Sequence, residues 1–465
     1  MATVSERLAS VSRPPPRESA QGPALILEIE SLDLEARGIA RHDGKVVFVR
    51  GALPGERVRA QVVRRKPRFD VAETLEVVRE SPMRAVPACP HFGVCGGCAM
   101  QHVQPRAQVS IKQRVLEDTL WHVGRLRPAQ VLAPIVGPAF GYRYRARLSV
   151  RHVPRKGGVL VGFHERGSSY VADIQQCEVL PPRVSALLVP LRRLVESLSL
   201  RDRLPQIEVS LGEDRLALVL RILQPLLADD EAHLRAFAQH HAVDFWLQTG
   251  GPDKIEPFPP ARHDGLHYAL PEFGLRMPFL PTDFTQVNHA INAVLVNRAV
   301  GLLDPQPNER IADLFCGLGN FTLPIATRAR EVVGIEGSAS LVRRAEQGAR
   351  DHGLHHKTRF DVANLFELNA EHWQALGAFD RILVDPPREG AQSLAQVLSN
   401  PFAHRPSRIV YVSCNPATLA RDAAILVHEG GWSLKQAGVV NMFPHTAHVE
   451  SIAVFEQRTD AVPFD

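Results

Sequence analysis

Residues 310–324 read RIADLFCGLGNFTLP, an apolar run that is followed by a turn with two glycines. The apolar run predicts a buried strand that ends near Asp313, and Pro324 is tolerated in the first turn of the helix that follows. Gly317 and Gly319 carry no side chain, so a ligand can approach the backbone closely at the carboxyl end of the strand. The stretch therefore predicts the first strand and the ligand-binding turn of an open α/β sheet.

Strand and helix signals alternate from about residue 283 onward. The four pairs of runs are RIADLF with FTLPIATRA, EVVGIE with SASLVRRAEQGARDHG, DRILVD with AQSLAQVLSN, and RIVYVSC with PATLARDAAILVHEGG. Such alternation is typical of a parallel sheet covered by helices. We therefore predict a Rossmann-like α/β domain over residues 281–460.

The second strand of this domain, EVVGIE, ends in Glu336, nineteen residues after Gly317. An acid at this position is suited to hydrogen-bond the two hydroxyls of a ribose. The turn has neither a third glycine nor a lysine, which argues against a dinucleotide fingerprint and against a phosphate-binding NTPase loop. An adenosyl group without a pyrophosphate fits better, so the predicted ligand is S-adenosylmethionine. Cys316, inside the turn, is expected to be a small packing residue.

Three further residues are expected on the same edge of the sheet. Asp385 ends the strand DRILVD, and the two prolines after it form a rigid wall beside a transferred methyl group. Arg388 then follows in place of an aromatic residue, which argues against methylation of an exocyclic amine. Cys414 ends the next strand, and Glu450 stands in NMFPHTAHVES, before the last strand. Because the carboxyl ends of parallel strands meet at one edge, these groups should lie close to the methyl donor.

A thiol and a carboxylate beside a methyl donor indicate methylation of carbon 5 of uracil, a carbon that is too weak a nucleophile to react unaided. If the Cys414 thiolate adds to carbon 6, negative charge develops at carbon 5, which can then take the methyl group. Glu450 is the candidate base that removes the hydrogen from carbon 5, so that the thiol can leave. Because a free thiol titrates near about 8.5, the site must lower the pKa of Cys414 or supply a nearby base. Taken alone, Cys414 would be an ordinary buried cysteine, and Glu450 an ordinary surface acid.

The length of 465 residues predicts two to four domains, and the basic residues are unevenly distributed among them. Ten Lys or Arg residues and two acids lie between Arg37 and Arg68. Short β-rich runs there, with His42-Asp43-Gly44 as a hairpin turn, predict a small OB-like barrel over residues 23–82. The clustered charge is typical of a phosphate-binding face. Residues 1–22 are polar and proline-rich, and we expect them to form a disordered tail.

Residues 83–280 are expected to form a β-rich central domain. Its run GYRYRARLSVRHV alternates with period two. The arginines on one strand face are Arg143, Arg145, Arg147 and Arg151. That face is predicted to bind RNA, and the alternative is an exposed strand whose charges oppose aggregation.

The central region also contains four of the six cysteines. Cys89, Cys95 and Cys98 have the spacing C-x5-C-x2-C, and Cys177 follows far downstream. Cysteines in a large cytosolic chain are better candidates for metal binding or catalysis than for disulfides. Four thiolates suit either zinc or an iron–sulfur cluster, and the spacing alone barely separates the two.

Five ordered motifs resemble those of the RNA uracil-C5 methyltransferases. They are FTQVN (residues 284–288), DLFCGLGNFTLP, VDPPREG, SCNPATLARD and MFPHTAHVES. The stretch GIARHDGKVVFVRGALPGE resembles a TRAM domain, a small RNA-binding barrel, so the resemblance covers about residues 24–458. CPHFGVCGGCAMQH is similar to the branch of the family that acts on 23S ribosomal RNA.

The resemblance implies roles for individual residues. Cys414 would be the nucleophile and Glu450 the base. The residues around S-adenosylmethionine would be Gln286, Phe315, Asn320, Glu336, Asn364 and Asp385. A 4Fe-4S cluster is favoured over zinc, and its ligands would be Cys89, Cys95, Cys98 and Cys177. Asn441 departs from the family pattern, because the resemblance implies aspartate before Met-Phe-Pro. The difference affects a local hydrogen bond and not the mechanism.

The leading hypothesis is therefore methylation of a specific uracil in 23S ribosomal RNA, with that RNA as partner and no obligate protein partner. The alternatives are a transfer RNA substrate and a non-catalytic RNA-binding assembly factor. No apolar run is long enough to cross a bilayer, and the start MATVSERLAS lacks the apolar core of a secretory signal. We therefore expect a cytoplasmic protein that does not associate with membranes.

Overall fold

The strands of the protein form three sheets and a separate hairpin. The computed structural model describes residues 24–251, 254–261, 265–401 and 404–458. The tail predicted for residues 1–22 lies outside the described residues. Within the described ranges, no helix is both long and apolar enough to span a lipid bilayer.

The first sheet has the strand order β1-β5-β6-β4-β3-β2. Its strands are β1 (Leu25–Glu28), β2 (Ser31–Leu32), β3 (Gly38–His42), β4 (Lys45–Arg50), β5 (Arg57–Arg65) and β6 (Phe69–Arg79). Val47 and Val49 of β4 point inward and are buried, as alternation along a strand requires. The predicted hairpin turn is confirmed, because Asp43 and Gly44 have φ angles of 48° and 75° and join β3 to β4.

A buried ion pair fixes this sheet to the chain that follows it. The Glu56 carboxylate is 0% exposed, and Arg84 contacts both of its oxygens, with Nε–Oε1 at 2.5 Å and Nη2–Oε2 at 2.7 Å. Arg84 Nη2 also donates to the Gly51 carbonyl at 2.8 Å, and the Leu53 amide donates to Glu56. The carboxylate therefore has its hydrogen bonds satisfied from both sides of the junction.

We expect Arg84→Ala to lower the free energy of unfolding by about 3–5 kcal/mol, because it leaves a buried carboxylate without its charge partner. Denaturant titration monitored by circular dichroism measures the change. The matched control is Arg59→Ala, which removes an exposed ion pair with Glu76 (Nε–Oε2 3.0 Å) and should cost less than about 1 kcal/mol. Equal losses in the two variants would contradict a special role for the buried pair.

The second sheet has the strand order β13-β12-β11-β10-β8-β9, and β7 lies outside it. The strands are β7 (Gln130–Val131), β8 (Arg145–Val153), β9 (Gly158–Gly162), β10 (Gln206–Leu211), β11 (Leu216–Arg221), β12 (Asp244–Gln248) and β13 (Ile255–Pro257). The helices of this region are Pro182–Ser185, Leu188–Ser197 and Ala228–His241. Leu188, Leu191 and Val195 lie on one face of the second helix and are buried in the core of this unit.

The alternation predicted for β8 is confirmed, since Ala146, Leu148 and Val150 are all buried. On the opposite face, Arg145 and Arg147 both approach Glu208 of β10, with N–O distances of 3.7 and 2.9 Å. This carboxylate offsets part of the positive charge of the face. Contact between the face and RNA stays a prediction.

The third sheet has the order β18-β17-β16-β19-β20-β22-β21-β7. After the hairpin β14 (His267–Leu270) and β15 (Leu275–Pro278), its strands are β16 (Arg310–Leu314), β17 (Glu331–Glu336), β18 (Thr358–Val362), β19 (Arg381–Val384), β20 (Arg408–Ser413), β21 (Trp432–Val440) and β22 (Glu450–Gln457). Its helices are Pro105–Gly124, His289–Leu303, Thr322–Ala326, Ala339–Asp351, Ala370–Ala375, Gln392–Leu398 and Pro416–Ala424. The predicted parallel sheet is confirmed for β16 to β20, and β22 runs antiparallel between β20 and β21.

The segment between the first two sheets is built into the third one. The Pro105–Gly124 helix packs on the Pro416–Ala424 helix, and a Cβ atom at Gly124 would come within 2.8 Å of the Ala420 carbonyl. Strand β7 then extends the edge of the third sheet by pairing in parallel with β21, and Ile135 forms a bridge to Val440. The region that contains the cysteines is thereby attached to the sheet at several points.

Candidate active site

The register of the third sheet aligns the ends of its parallel strands. Leu314 pairs with Ile335 on one side and with Val384 on the other, and Val384 pairs with Tyr411. The residues that follow each strand therefore meet at one edge of the sheet. This edge, which we call the rim, contains Phe315, Glu336, Asp385, Cys414 and Glu450.

The predicted glycine turn lies at the rim and has an unusual backbone. Phe315, Gly317 and Gly319 all have positive φ angles, of 64°, 57° and 88°. A positive φ is costly for a phenylalanine and is often found where a turn is shaped for a ligand. Glu336 fixes the turn, since its carboxylate accepts hydrogen bonds from the amides of Gly317 (3.1 Å) and Ser338 (2.9 Å). Cys316 is buried, as predicted for a packing residue.

Asp313 is a residue of this site that sequence reasoning missed. It is fully buried, and its Oδ2 accepts a hydrogen bond from Thr322 Oγ1 at 2.5 Å. Among the described residues, its Oδ1 has no hydrogen-bond partner. Burial, together with the nearby charges of Asp385 and Glu336, raises the pKa of Asp313 to about 7. The available signal was an acid inside the apolar run RIADLF.

Two further predicted cofactor residues, Asn320 and Asn364, differ in how many hydrogen bonds hold their side chains. The Asn320 side chain is held by Asn292 (2.9 and 3.0 Å) and accepts a hydrogen bond from Tyr268 Oη at 2.8 Å. Asn364 accepts a hydrogen bond from the Phe366 amide, and the ring of Phe366 lies 5.6 Å from that of Phe315.

Gln286 is half-buried in the FTQVN loop. The Val287 carbonyl of that loop accepts a hydrogen bond from the Tyr144 amide at 2.8 Å. The loop is thus anchored beside Gln286 to the region of the second sheet.

Cys414 and Glu450 lie beside each other across two antiparallel strands. Ser413, the last residue of β20, pairs with Ser451 of β22, so Cys414 follows β20 next to the start of β22 at Glu450, and the charge of Glu450 acts on the Cys414 thiol. Cys414 is half-buried and is followed by Asn415, whose side chain caps the next helix by accepting from the Ala417 amide. The sequence placed both residues at this edge, and the structure brings them together.

Burial makes the ionisable groups of the rim titrate far from their usual ranges. It raises the pKa of Cys414 to about 12, and the carboxylates of Glu450 and Asp385 add to the effect. Glu450 is 5% exposed, and burial with the nearby Asp385 raises its pKa to about 8. Burial alone raises the pKa of Asp385 to about 7. The thiol could ionise either because its own pKa is lowered or because a nearby base accepts its proton. In the free protein the pKa of Cys414 is not lowered, but two carboxylates that could accept the proton, Asp385 and Glu450, are present.

Arg388 supplies positive charge at the rim. It lowers the pKa of both Cys414 and Glu450, although burial has the larger, opposite effect on each. Its Nη2 donates to His448 Nδ1 at 2.8 Å, and burial with this neighbouring charge lowers the pKa of His448 to about 4. His448 is therefore neutral at physiological pH and can accept the hydrogen bond.

A cavity of about 680 Å³ opens beside the rim. Arg388 and His448 form part of its wall, together with Arg37 and Arg50 of the first sheet and Arg143. Arginine side chains from all three sheet regions therefore face one space, as expected for a site that receives a polyanion.

The four cysteines of the central region line the same cavity. Cys89, Cys95, Cys98 and Cys177 all carry free thiols. Burial raises the pKa of Cys98 to about 11 and that of Cys177 to about 12, and nearby cysteines contribute to both shifts. Within the described ranges, no group of three or more His, Cys, Asp or Glu residues is placed to hold one metal ion.

The loop between β21 and β22, residues 441–449, is held by the cysteine-containing region. We call it the base loop, because Glu450 follows it. Three consecutive carbonyls of this loop accept hydrogen bonds. The Phe443 carbonyl accepts from Lys112 Nζ (2.8 Å), the Pro444 carbonyl from Tyr142 Oη (2.8 Å), and the His445 carbonyl from the amides of Ala99 (2.8 Å) and Met100 (2.9 Å). The cysteine-containing region thus fixes the path of the chain into Glu450.

A parallel sheet with one antiparallel strand inserted near its end, a glycine turn after the first strand and an acid after the second define the class of S-adenosylmethionine-dependent methyltransferases. Family comparison gives the same class. Residues 275–458 match the tRNA (Uracil-5-)-methyltransferase family, and residues 22–73 match the TRAM domain.

Relatives of known activity extend the match over nearly the whole chain. The chain is 65% identical over 437 residues to the 23S rRNA (uracil(1939)-C(5))-methyltransferase RlmD of Bordetella bronchiseptica, covering 94% of each chain. It is 61% identical over 448 residues to the RlmD of Burkholderia lata, covering 94% of this chain and 96% of that one. The protein belongs to the RNA uracil-C5 methyltransferase family, as the sequence motifs predicted.

A solved structure supports the fold. The Pyrococcus abyssi tRNA (uracil-54, C5)-methyltransferase, in complex with S-adenosyl-L-homocysteine, superposes with a TM-score of 0.72 at 22% identity. The match covers 93% of this chain and 100% of that one. The two proteins therefore share a fold despite their low sequence identity.

Proposed function

We propose that this protein methylates carbon 5 of one uracil in 23S ribosomal RNA, at the position that the relatives' names number 1939. The observation that carries the proposal is the identity of 65% over 94% of the chain. The neighbouring Cys414 and Glu450 supply the two groups that the reaction needs.

Cys414 and Glu450 would act in sequence on the uracil ring. Cys414 Sγ forms a bond to carbon 6, and the electron pair of the ring double bond moves toward carbon 5. Carbon 5 then takes the methyl group from S-adenosylmethionine, which leaves as the neutral thioether. Glu450 removes the proton from carbon 5, the double bond reforms, and the bond between carbon 6 and sulfur breaks. The thiol must first lose its own proton. Asp385 or Glu450 would accept it and pass it on to water, so that Glu450 is ionised again when the proton leaves carbon 5.

The methyl donor would bind at the glycine turn, with Glu336 on the ribose hydroxyls. Gln286, Phe315, Asn320, Asn364 and Asp385 would complete its pocket. Asn320 would contribute mainly through shape, because its amide is already engaged by Asn292 and Tyr268. Asp385, with a pKa near 7, would face the sulfonium, where a carboxylate stabilises positive charge.

The four cysteines would hold a 4Fe-4S cluster. Their thiols line one cavity, which fits a set of four sulfur ligands. Four thiolates suit a single zinc ion as well as a cluster, and the family resemblance favours the cluster. Its role would be structural, since methyl transfer moves no electron.

We expect anaerobically purified protein to be brown and to contain about four iron atoms and four acid-labile sulfides per chain. Cys98→Ser should lose this iron and its visible absorption, because a cluster ligand is removed. The matched control, Cys316→Ser, changes a buried cysteine away from the cavity and should keep the iron. Stoichiometric zinc without iron would contradict the cluster.

The RNA substrate can be tested with transcripts that contain 5-fluorouracil. Fluorine cannot leave carbon 5 as a proton can, so the enzyme should stay joined to its target nucleotide. We expect an adduct between Cys414 and one nucleotide of 23S ribosomal RNA. An adduct with transfer RNA alone would favour the other substrate class, and no adduct with either RNA would favour a non-catalytic assembly factor.

A further inference from the structure

The arginine row of β8 is not equally accessible along its length. The side chain of Arg147 is 69% exposed, whereas that of Arg145 is only 20% exposed. Both guanidinium groups approach the carboxylate of Glu208. Arg145 is therefore largely enclosed by protein, and a ligand on this face can reach little of it.

The FTQVN loop, residues 280–288, is the segment that Arg145 contacts. Arg145 Nη2 donates to the Thr282 carbonyl at 2.9 Å. Tyr144, the residue before it, donates its backbone amide to the Val287 carbonyl at 2.8 Å. Two consecutive residues at the start of β8 thus hold the loop at two points along its length.

An aromatic contact reinforces the second of these points. The ring of Tyr144 stacks on that of His289, with the ring centroids 4.5 Å apart. His289 is the first residue of the His289–Leu303 helix, which Asn288 caps by accepting a hydrogen bond from the Ile291 amide at 3.2 Å. The end of the FTQVN loop and the start of this helix are therefore fixed against the second sheet region.

The FTQVN loop is also attached to the part of the catalytic sheet where the methyl donor is proposed to bind. The Asp283 carboxylate is buried, its Oδ2 accepts from the Leu280 amide at 2.7 Å, and its Oδ1 pairs with Arg344. Arg344 belongs to the Ala339–Asp351 helix, which follows Glu336 in the chain. The loop thus joins the strand with the arginine row to the element behind the proposed ribose contact.

The side chains between the two held carbonyls are not packed away. Phe284 is exposed, and Gln286 is half-buried. Gln286 is one of the residues proposed above to contact S-adenosylmethionine. Because the backbone is held on both sides of Gln286, less conformational freedom is lost when the donor binds, and such preorganisation increases affinity.

We propose that Arg145 is a positioning residue for the methyl donor and not a contact for RNA: together with Tyr144 it holds the FTQVN loop, so that Gln286 is preorganised in the donor pocket. RNA contacts on this face then fall to Arg147 and Arg151, whose side chains are exposed. The proposal rests on the donor-binding role of Gln286 given above. Arg145 itself touches no reacting atom.

The nitrogen atoms of the two arginines support this division. Arg147 uses Nε and Nη2 for Glu208, at 3.0 and 2.9 Å, which leaves Nη1 of an exposed side chain for an external anion. Arg145 gives Nη2 to the Thr282 carbonyl, and its Nη1 is buried. A phosphate that drew the Arg145 guanidinium outward would break the bond to the loop, and a hydrogen bond from a charged donor would be lost.

The test compares Arg145→Gln with its matched control Arg147→Gln, because each removes one charge from the same strand face. Calorimetry of the full-length protein with S-adenosyl-L-homocysteine, in the absence of RNA, measures the donor pocket. Binding of 23S ribosomal RNA transcript at several salt concentrations measures the number of phosphate contacts.

Arg145→Gln should weaken the binding of S-adenosyl-L-homocysteine about tenfold, because a charge-assisted hydrogen bond to the loop is lost. The salt dependence of RNA binding should stay as in the wild type. Arg147→Gln should give the reverse result: an unchanged affinity for S-adenosyl-L-homocysteine and a salt slope that is smaller by about one. Arg145→Lys keeps a charged donor at this position and should recover part of the lost affinity.

The proposal is overturned if Arg145→Gln binds S-adenosyl-L-homocysteine as the wild type does and loses a phosphate contact, because Arg145 is then an RNA contact. Equal losses in donor and RNA binding would also overturn it, since they indicate a merely structural role. If thermal unfolding shows that Arg145→Gln is unstable, Tyr144→Leu decides, because it removes the ring contact with His289 without changing any charge. An unchanged donor affinity in that variant would contradict the proposal. If the wild type does not bind S-adenosyl-L-homocysteine, the proposed function itself fails.

Discussion

Cys414→Ala should lose methylation by a factor on the order of 10⁴ or more, because removing the nucleophile of a covalent mechanism removes the pathway itself. Carbon 5 of the ring then has no adjacent carbon–sulfur bond to make it electron-rich. Binding of S-adenosylmethionine should be unchanged, since the glycine turn and Glu336 form a separate part of the rim. Transfer of labelled methyl groups to ribosomal RNA, and calorimetry with the methyl donor, measure the two effects.

Cys316→Ala is the matched control for this substitution. Cys316 is a buried cysteine in the glycine turn, and its side chain packs beneath the turn, where a Cβ atom at Gly334 would meet its sulfur at 2.9 Å. This variant should still form the adduct with 5-fluorouracil RNA. Full methylation by Cys414→Ala, or an adduct that maps to another cysteine, would refute the assignment of the nucleophile.

Glu450→Gln should instead trap the reaction after methyl transfer. Glutamine has nearly the same size but cannot accept the proton of carbon 5, so turnover should fall by about 10²–10⁴-fold. The covalent protein–RNA species should accumulate and should carry the transferred methyl group. Denaturing gels with a labelled methyl donor would show it as a slowly migrating radioactive band.

The pH dependence of the wild type supports the same assignment. Glu450 acts as base only when ionised, and its pKa is raised to about 8. The rate of adduct resolution should therefore rise from pH 7 to pH 9, and this rise should be absent in Glu450→Gln. Glu389→Gln, which changes an exposed acid next to Arg388, is the control and should keep the wild-type profile. A Glu450→Gln variant without accumulated adduct would contradict the role of Glu450 as the base.

Glu336, Asp385 and Cys414 could be predicted to lie at the rim because each of them stands at the end of an apolar run in the sequence. Strand ends are local features, and a parallel sheet brings them to one edge, so Glu336, Asp385 and Cys414 were placed correctly. The register between β20 and β22 is not a local feature. This register decides which residue of β22 lies next to Cys414. It depends on the pairing of two strands whose paired residues, Ser413 and Ser451, are 38 residues apart in the chain.

Contacts between residues on elements that are far apart in the chain gave no signal in the sequence. Lys112 lies 329 residues before Asn441, and only the packing of its helix against the catalytic sheet brings the two together. The charge row of β8 was predicted as a free basic face, whereas Glu208 from β10 partly neutralises it. The high pKa of Cys414 likewise follows from burial beside two carboxylates, which a linear sequence does not display.

The short strand β7 has a mechanical consequence for how the RNA must enter. Because β7 and Ile135 hydrogen-bond to β21 along the sheet edge, these bonds oppose a separation of the cysteine-containing region from the catalytic sheet to admit a folded RNA helix. The RNA must then change its conformation instead, so we expect the target uracil to rotate out of the stack of bases. The cost of that unstacking, a few kcal/mol, then falls on the RNA, which favours targets that are already loosely stacked.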